Sequence, residues 1–117
     1  MNGLRKLTPH KKSLLLTALL ENYPGAFITG YVLDAYISSY CVVGRVYKSP
    51  TYPDGTLILS EPITQVVEYT RRYLIETCEH ECFLVVSFHS HGGRQSLEHL
   101  LALFKTAARL GSRYCLH

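Results

Sequence analysis

The chain predicts an α/β sandwich, a mixed sheet of four to five strands carrying three helices in the order α-β-β-α-β-α-β, and three features carry that expectation. Residues 82–88, CFLVVSF, are apolar except for Ser87, with charge before them and Gly92 and Gly93 after, the pattern of a strand buried on both faces. Pro53-Asp54-Gly55 is a strong turn between two runs rich in β-branched residues, so those runs should pair as an antiparallel hairpin. Helical spacing of apolar residues recurs behind a Thr or Ser start signal, which places helices between the strands and implies right-handed crossovers.

Thr8 followed by Pro9 supplies an N-cap hydroxyl and a proline at the first helical position, and Tyr23-Pro24-Gly25 ends the helix near Asn22. Ser13, Thr17 and Glu21 form its polar edge. Leu14, Leu15, Leu16, Ala18, Leu19 and Leu20 make an apolar stripe wider than a surface helix needs, which leaves part of it for a partner subunit, a homodimer among the options. Residues 26–39 mix β-branched and aromatic types and read as extended chain broken at Gly30. Residues 40–47 are a firmer strand, and 56–59 pair with them across the Pro-Asp-Gly turn.

Ser60-Glu61-Pro62 then resembles a helix start, and Ile63, Val66, Val67, Thr70, Tyr73, Leu74 and Thr77 repeat at i, i+3, i+4 and i+7, predicting a helix over 62–78. Ser96 is placed to cap a third helix with Leu97, Leu100, Leu101, Phe104, Ala107 and Ala108 as its buried stripe and Gly111 as its stop. Residues 112–117 close as a short strand.

At 117 residues the chain has the size of one domain, 1–117. Hydrophobic residues make up 47% and charged residues 18%, a globular balance, and the net charge of +3 is scattered, with Lys11-Lys12 and Arg71-Arg72 among its few adjacent basic pairs. A nucleic-acid partner is therefore ranked last; it would require His10, Lys11, Lys12, Arg71 and Arg72 to converge on one face. No apolar run reaches the roughly 18 residues of a membrane span, and the first residues lack the apolar middle of a signal peptide, so a cytoplasmic chain with reduced cysteines is expected.

His89 and His91 stand at the end of the buried run. On an extended chain, residues i and i+2 point to one side about 6.5 Å apart, so two imidazoles there can close on one metal ion or one substrate. His99, in the first turns of the following helix, is the third candidate ligand. Three neutral imidazoles would leave a zinc ion Lewis acidic enough to ionise a bound water near neutral pH, and Ser96 could hydrogen-bond that water or an oxyanion. The bland reading of the same residues is a pair of histidines bonded to loop backbone at a strand end and a solvated His99.

The order of elements and the segment HSHGGRQSLEH followed by LLALFKTAARLG are similar to the JAMM metalloprotease superfamily, also called JAB or MPN domains, and especially to its RadC-like branch. The similarity spans roughly the last two thirds of the chain. In that family a buried strand ends in His-x-His-Pro and a loop leads to Ser-x-x-Asp at a helix start, with both histidines and the aspartate on zinc. The resemblance implies that His89, His91 and His99 bind the metal, that Ser96 steadies the oxyanion, and that the reaction is hydrolysis of an amide or isopeptide bond in a protein substrate. Gly92 stands in place of the proline, the loop from His91 to Ser96 is shorter than the family's, and Ala26, Phe27 or Cys41 stands where the activating glutamate is expected. Glu21 or Glu61 could substitute only by turning inward; otherwise the scaffold has lost peptidase activity.

The rival expectation is a non-enzymatic interaction module whose sheet edge, tyrosines and wide first helix bind another protein. Small chains of this kind include many phage or mobile-element inhibitors of host complexes, an analogy of size alone. The run Cys78-Glu79-His80-Glu81-Cys82 lacks paired Cys-x-x-Cys spacing and reads as a turn more than as a second metal site. A nucleophilic dyad of Cys78 or Cys82 with a histidine has no spacing in its favour.

Overall fold

The computed structural model describes residues 7–69 and 71–110. It contains α1 (Pro9–Leu20), β1 (Gly30–Ser38), β2 (Cys41–Tyr47), β3 (Thr56–Leu59), β4 (Ile63–Glu68), β5 (Tyr73–Thr77), β6 (Cys82–Val85) and α2 (Gly93–Leu110). The fold is α+β, with a mixed six-stranded sheet in the order β3-β2-β1-β6-β5-β4 and two helices. The expectation of three helices and four to five strands is corrected on both counts among the described residues. The proposed strand over 112–117 lies outside them.

The helix expected over 62–78 is the β4–β5 hairpin, closed by a reverse turn in which Tyr69 N–H donates to Arg72 C=O (2.8 Å) and Arg72 N–H to Tyr69 C=O (3.3 Å). The physical reason is visible in the composition. Ile63, Thr64, Val66, Val67, Ile75 and Thr77 are β-branched, and this ribbon is covered on both sides, Val66 and Ile75 facing one core cluster and Val67 and Leu74 the other. Apolar residues on both faces abolish the alternation that marks a half-buried strand, and the residue pattern then matches a helix by coincidence.

β3 and β4 occupy opposite edges yet follow each other in the chain. Across a flat six-stranded sheet the edges would lie about 24 Å apart at about 4.8 Å per strand. The four steps from Leu59 to Ile63 reach at most about 14 Å. The sheet must therefore curl until its edges meet at one end. There the linking residues are bonded to both sides: Ser60 N–H donates to Val42 C=O (2.9 Å), Ile63 N–H to Tyr40 C=O (2.7 Å), and Cys78 N–H to Pro62 C=O (2.9 Å). β3 and β4 are thus two halves of one bent strand, the first paired with β2 and the second with β5.

The curl has a filled interior. Val32, Val42, Val46, Ile58, Ile63, Ile75 and Phe83 point inward, and Leu97 and Leu100 of α2 close the cluster. On the outside, Leu33, Leu74, Leu84 and Val86 pack against Leu15 and Ala18 of α1, whose first turn is capped by the Thr8 hydroxyl accepting from Lys11 N–H (3.2 Å). Each such fully buried aliphatic side chain contributes about 1.5–3 kcal/mol. Leu16 and Leu20 of the wide α1 stripe stay exposed.

β1 starts at Gly30, where the sequence placed a break. A Cβ there would lie 2.9 Å from Val46 Cγ2 and 3.1 Å from Phe83, so the glycine is needed for contact between neighbouring strands. The parallel β1–β6 pair at the centre of the sheet is the expected buried strand meeting the first extended segment.

Candidate functional site

β6 proper ends at Val85, but its backbone bonding to β1 continues. Val86 N–H donates to Val32 C=O (2.8 Å), Ala35 N–H to Ser87 C=O (2.9 Å) and His89 N–H to Ala35 C=O (2.9 Å). This offset pairing is made by a bulge in β1 between Leu33 and Tyr36, where Asp34 takes φ 55° and its N–H donates to the Ser87 hydroxyl (3.0 Å). The bulge carries His89 to the end of the central pair. Gly92, at φ 83°, then reverses the chain, and α2 starts with Gly93 N–H on His89 C=O (3.0 Å). Gly93 packs so tightly that a Cβ would lie 2.4 Å from Ala35 O and 3.2 Å from His89 Cβ.

The rings of His89 and His91 lie with centroids 5.6 Å apart, but residues 90–92 form a turn, so the turn and not an extended strand end brings them together. Tyr36 stands edge-on to His89 at 5.6 Å. The detailed bonding nevertheless works against a metal. His91 N–H donates to His89 Nδ1 (3.1 Å), so in the neutral ring the proton sits on Nε2 and neither nitrogen is left with an uncommitted lone pair. His99 is exposed. At about 100° per residue it lies roughly opposite the Leu97, Leu100 and Phe104 stripe that packs on the sheet, whereas Gly93 beside His89 lies on that stripe. Among the described residues no group of three His, Cys, Asp or Glu side chains is placed to hold a metal ion. The residues present do not fit a resident zinc.

Ser96 is equally committed. It lies within α2, three residues past Gly93, and is not its cap. Its Oγ accepts from Ile37 N–H (2.8 Å) and donates to Gly93 C=O (2.6 Å), tying the first turn of α2 to β1. The single hydroxyl proton is thereby used, so none is left for an oxyanion. The glutamates considered as substitutes are elsewhere: Glu21 is bound to Tyr23 (2.6 Å) and Arg72 (2.9 Å), and Glu61 is exposed at the β3–β4 bend. Arg72 holds the Glu21 carboxyl below its ordinary value, with Tyr23 adding to the effect.

The other chemistry-bearing residues sort as follows. Residues 78–81 form the β5–β6 turn, with His80 N–H on Thr77 C=O (3.0 Å) and His80 at φ 63°. It joins two strands, where the sequence placed a helix-to-strand turn. Burial pushes the Cys82 thiol up, away from the thiolate a nucleophile needs, and does the same to Cys41. Lys11 pairs with Asp34 (2.8 Å) near the start of α1, while Arg72 meets Glu21 just past its end, so these basic residues lie about 15 Å apart along the helix.

A different feature is the sheet edge, which the sequence reading expected without assigning it to a strand. β3 is an edge strand, and its pairing with β2 uses alternate residues. Ser60 N–H bonds Val42, which makes 58↔44 the next hydrogen-bonded pair and turns the N–H and C=O of Leu57 and Leu59 away from β2. No other hydrogen bond to these four groups occurs among the described residues. The side chains of Leu57 and Leu59 are 58% and 66% exposed. In the row beside Leu59 stand Val43 and then Tyr36, and beside Leu57 stands Arg45. The only available signal was the TLIL run itself; whether it forms an edge or a central strand is decided by the curl.

The fold and these geometries define a curled α+β domain with a closed histidine end and an open leucine edge. Compared with known proteins, the chain matches no family model, no curated protein and no solved structure.

Proposed function

We propose that this chain is a protein-interaction module that accepts an extended polypeptide segment by strand addition along β3. The observation that carries the reading is the free β3 edge, where two N–H and two C=O groups face away from β2 beside two exposed leucines. An added strand satisfies those four backbone groups and covers the leucines, which is how backbone bonding supplies affinity and alternate side chains supply specificity. An uncharged, apolar edge left open is otherwise an aggregation hazard.

Selection of displayed extended peptides against the untagged chain tests this, with binders re-measured on Leu59→Pro. Proline removes a donor that β2 does not use, so the sheet itself is kept. Binders that Leu59→Pro loses and chelator leaves untouched support the reading; binders indifferent to Leu59→Pro overturn it. The zinc-hydrolase reading, which rests on the paired imidazoles at 5.6 Å, makes the opposite forecast. It requires stoichiometric zinc in the untagged protein that a His89→Ala, His91→Ala double variant loses. We expect negligible zinc in both.

A further inference from the structure

We infer that the segment received by β3 is the β3 strand of a second copy of this chain, paired antiparallel about a twofold axis through Ile58. This inference rests on the strand-addition reading and names its partner.

The argument is one of self-complementarity. The outward-facing backbone groups belong to Leu57 and Leu59. An antiparallel strand with the same spacing matches them in one register above all: Leu57 opposite Leu59 of the second copy, and Leu59 opposite its Leu57. Each pair exchanges two N–H···O=C bonds, so all four outward groups on each copy are satisfied by their own equivalents. The leucine side chains of the two copies then lie side by side on the same face, where cross-strand apolar pairs add to the stability of the ladder. An isologous contact of this kind closes the β3 edges of both copies at once.

Charge supports the same register. Carried outward by two residues, it sets Gly55 opposite Glu61 of the second copy. Gly55 C=O already accepts from Arg45 Nη1 (3.2 Å), so the Arg45 guanidinium is held at the place where that carboxylate arrives. Glu61 is exposed, and neither residue is in an ion pair among the described residues. The strand between them, Thr-Leu-Ile-Leu, carries no charge to repel its copy. Two equivalent Arg45–Glu61 pairs therefore flank an apolar centre, a fixed arrangement that an unrelated peptide would have to reproduce by chance.

Light scattering on the size-separated 117-residue chain over a range of concentrations tests the inference. The expected mass is twice the 13.3 kDa of the chain. Leu59→Pro should be monomeric with near-normal circular dichroism. Arg45→Glu and Glu61→Arg should each weaken the dimer about tenfold or more, and the Arg45→Glu, Glu61→Arg double variant should recover most of the loss, which no folding defect would imitate. A monomer at every concentration overturns the inference, as does a dimer that persists in Leu59→Pro or a charge swap without recovery. If the protein is monomeric yet selected peptides still bind in a Leu59-dependent way, the strand-addition reading stands and the second copy falls. If those peptides are also indifferent to Leu59→Pro, both fall.

Discussion

The end of the sheet that holds the histidines and the edge made by β3 differ in what their polar groups are doing. At the histidine end the central chemistry-bearing residues are occupied, while the rings of His91 and His99 stay exposed. His89 accepts from the His91 backbone, Ser96 both accepts and donates, Ser87 accepts from Asp34, and Gly93 is wedged against Ala35. At the β3 edge the residues are ordinary leucines, and their backbone groups are free. The lesson is that a reactive-looking side chain is available for function only if the fold leaves its donors and lone pairs unspent. Backbone that looks inert can be the group on offer.

The strongest way to break this contrast is at Gly93. A Cβ placed 2.4 Å from Ala35 O forces α2 off the sheet end, and Gly93→Ala should destabilise the chain by about 1–3 kcal/mol in chemical denaturation. A smaller effect is expected from Ser96→Ala. It leaves the Ile37 N–H without its acceptor, at a cost of about 1–2 kcal/mol, and should lower the melting temperature without altering metal content. The same truncation at the open edge, Leu57→Ala, should change the stability of the monomer by less than about 0.5 kcal/mol. Equal losses at Leu57 and Ser96 would erase the distinction between the two regions.

Two further measurements sharpen it. The β1–β2 hairpin turns through Ser39 and Tyr40, both with positive φ (52° and 63°), the type I′ shape that Asn-Gly adopts most readily. Tyr40→Gly should therefore stabilise the chain by about 0.5–1 kcal/mol, since a left-handed tyrosine is strained and its backbone bond to Ile63 survives the change. The smallest effect belongs to Glu21. Its folded-state carboxyl is held below the ordinary value of 4.5 by Arg72, so its contribution is fully present above that value and fades as pH falls through the depressed one. The melting-temperature difference between the native chain and Glu21→Gln should be flat near neutral pH and vanish in acid. The pair is exposed enough for salt to reduce it.

Reading the chain without its fold succeeded where local physics decides. Thr8-Pro9 starts α1, Pro53-Asp54-Gly55 turns between β2 and β3, and Leu97, Leu100 and Phe104 mark the buried side of α2. It failed at β4 and β5. A hairpin covered on both faces has no period of two to read, and the turn closed by Tyr69 and Arg72 lacks the glycine or asparagine that would have announced it. The candidate site divided in the same way. The closeness of His89 and His91 follows from their places in the chain, while the turn that sets their rings, the orientation of His99 and the commitment of Ser96 depended on how α2 meets β1.

By itself, then, the order of residues determined the central buried strand, the β2–β3 hairpin and both described helices, because each follows from spacing or turn residues within a few positions. Only the tertiary structure decided that the sheet curls, that β3 is left as an edge, and which hydrogen-bonding groups remain unspent. Those outcomes depend on contacts between residues distant in the chain: Ser60 with Val42, Pro62 with Cys78, Ile37 with Ser96. No local pattern encodes whether a backbone donor finds its acceptor or is left for another molecule.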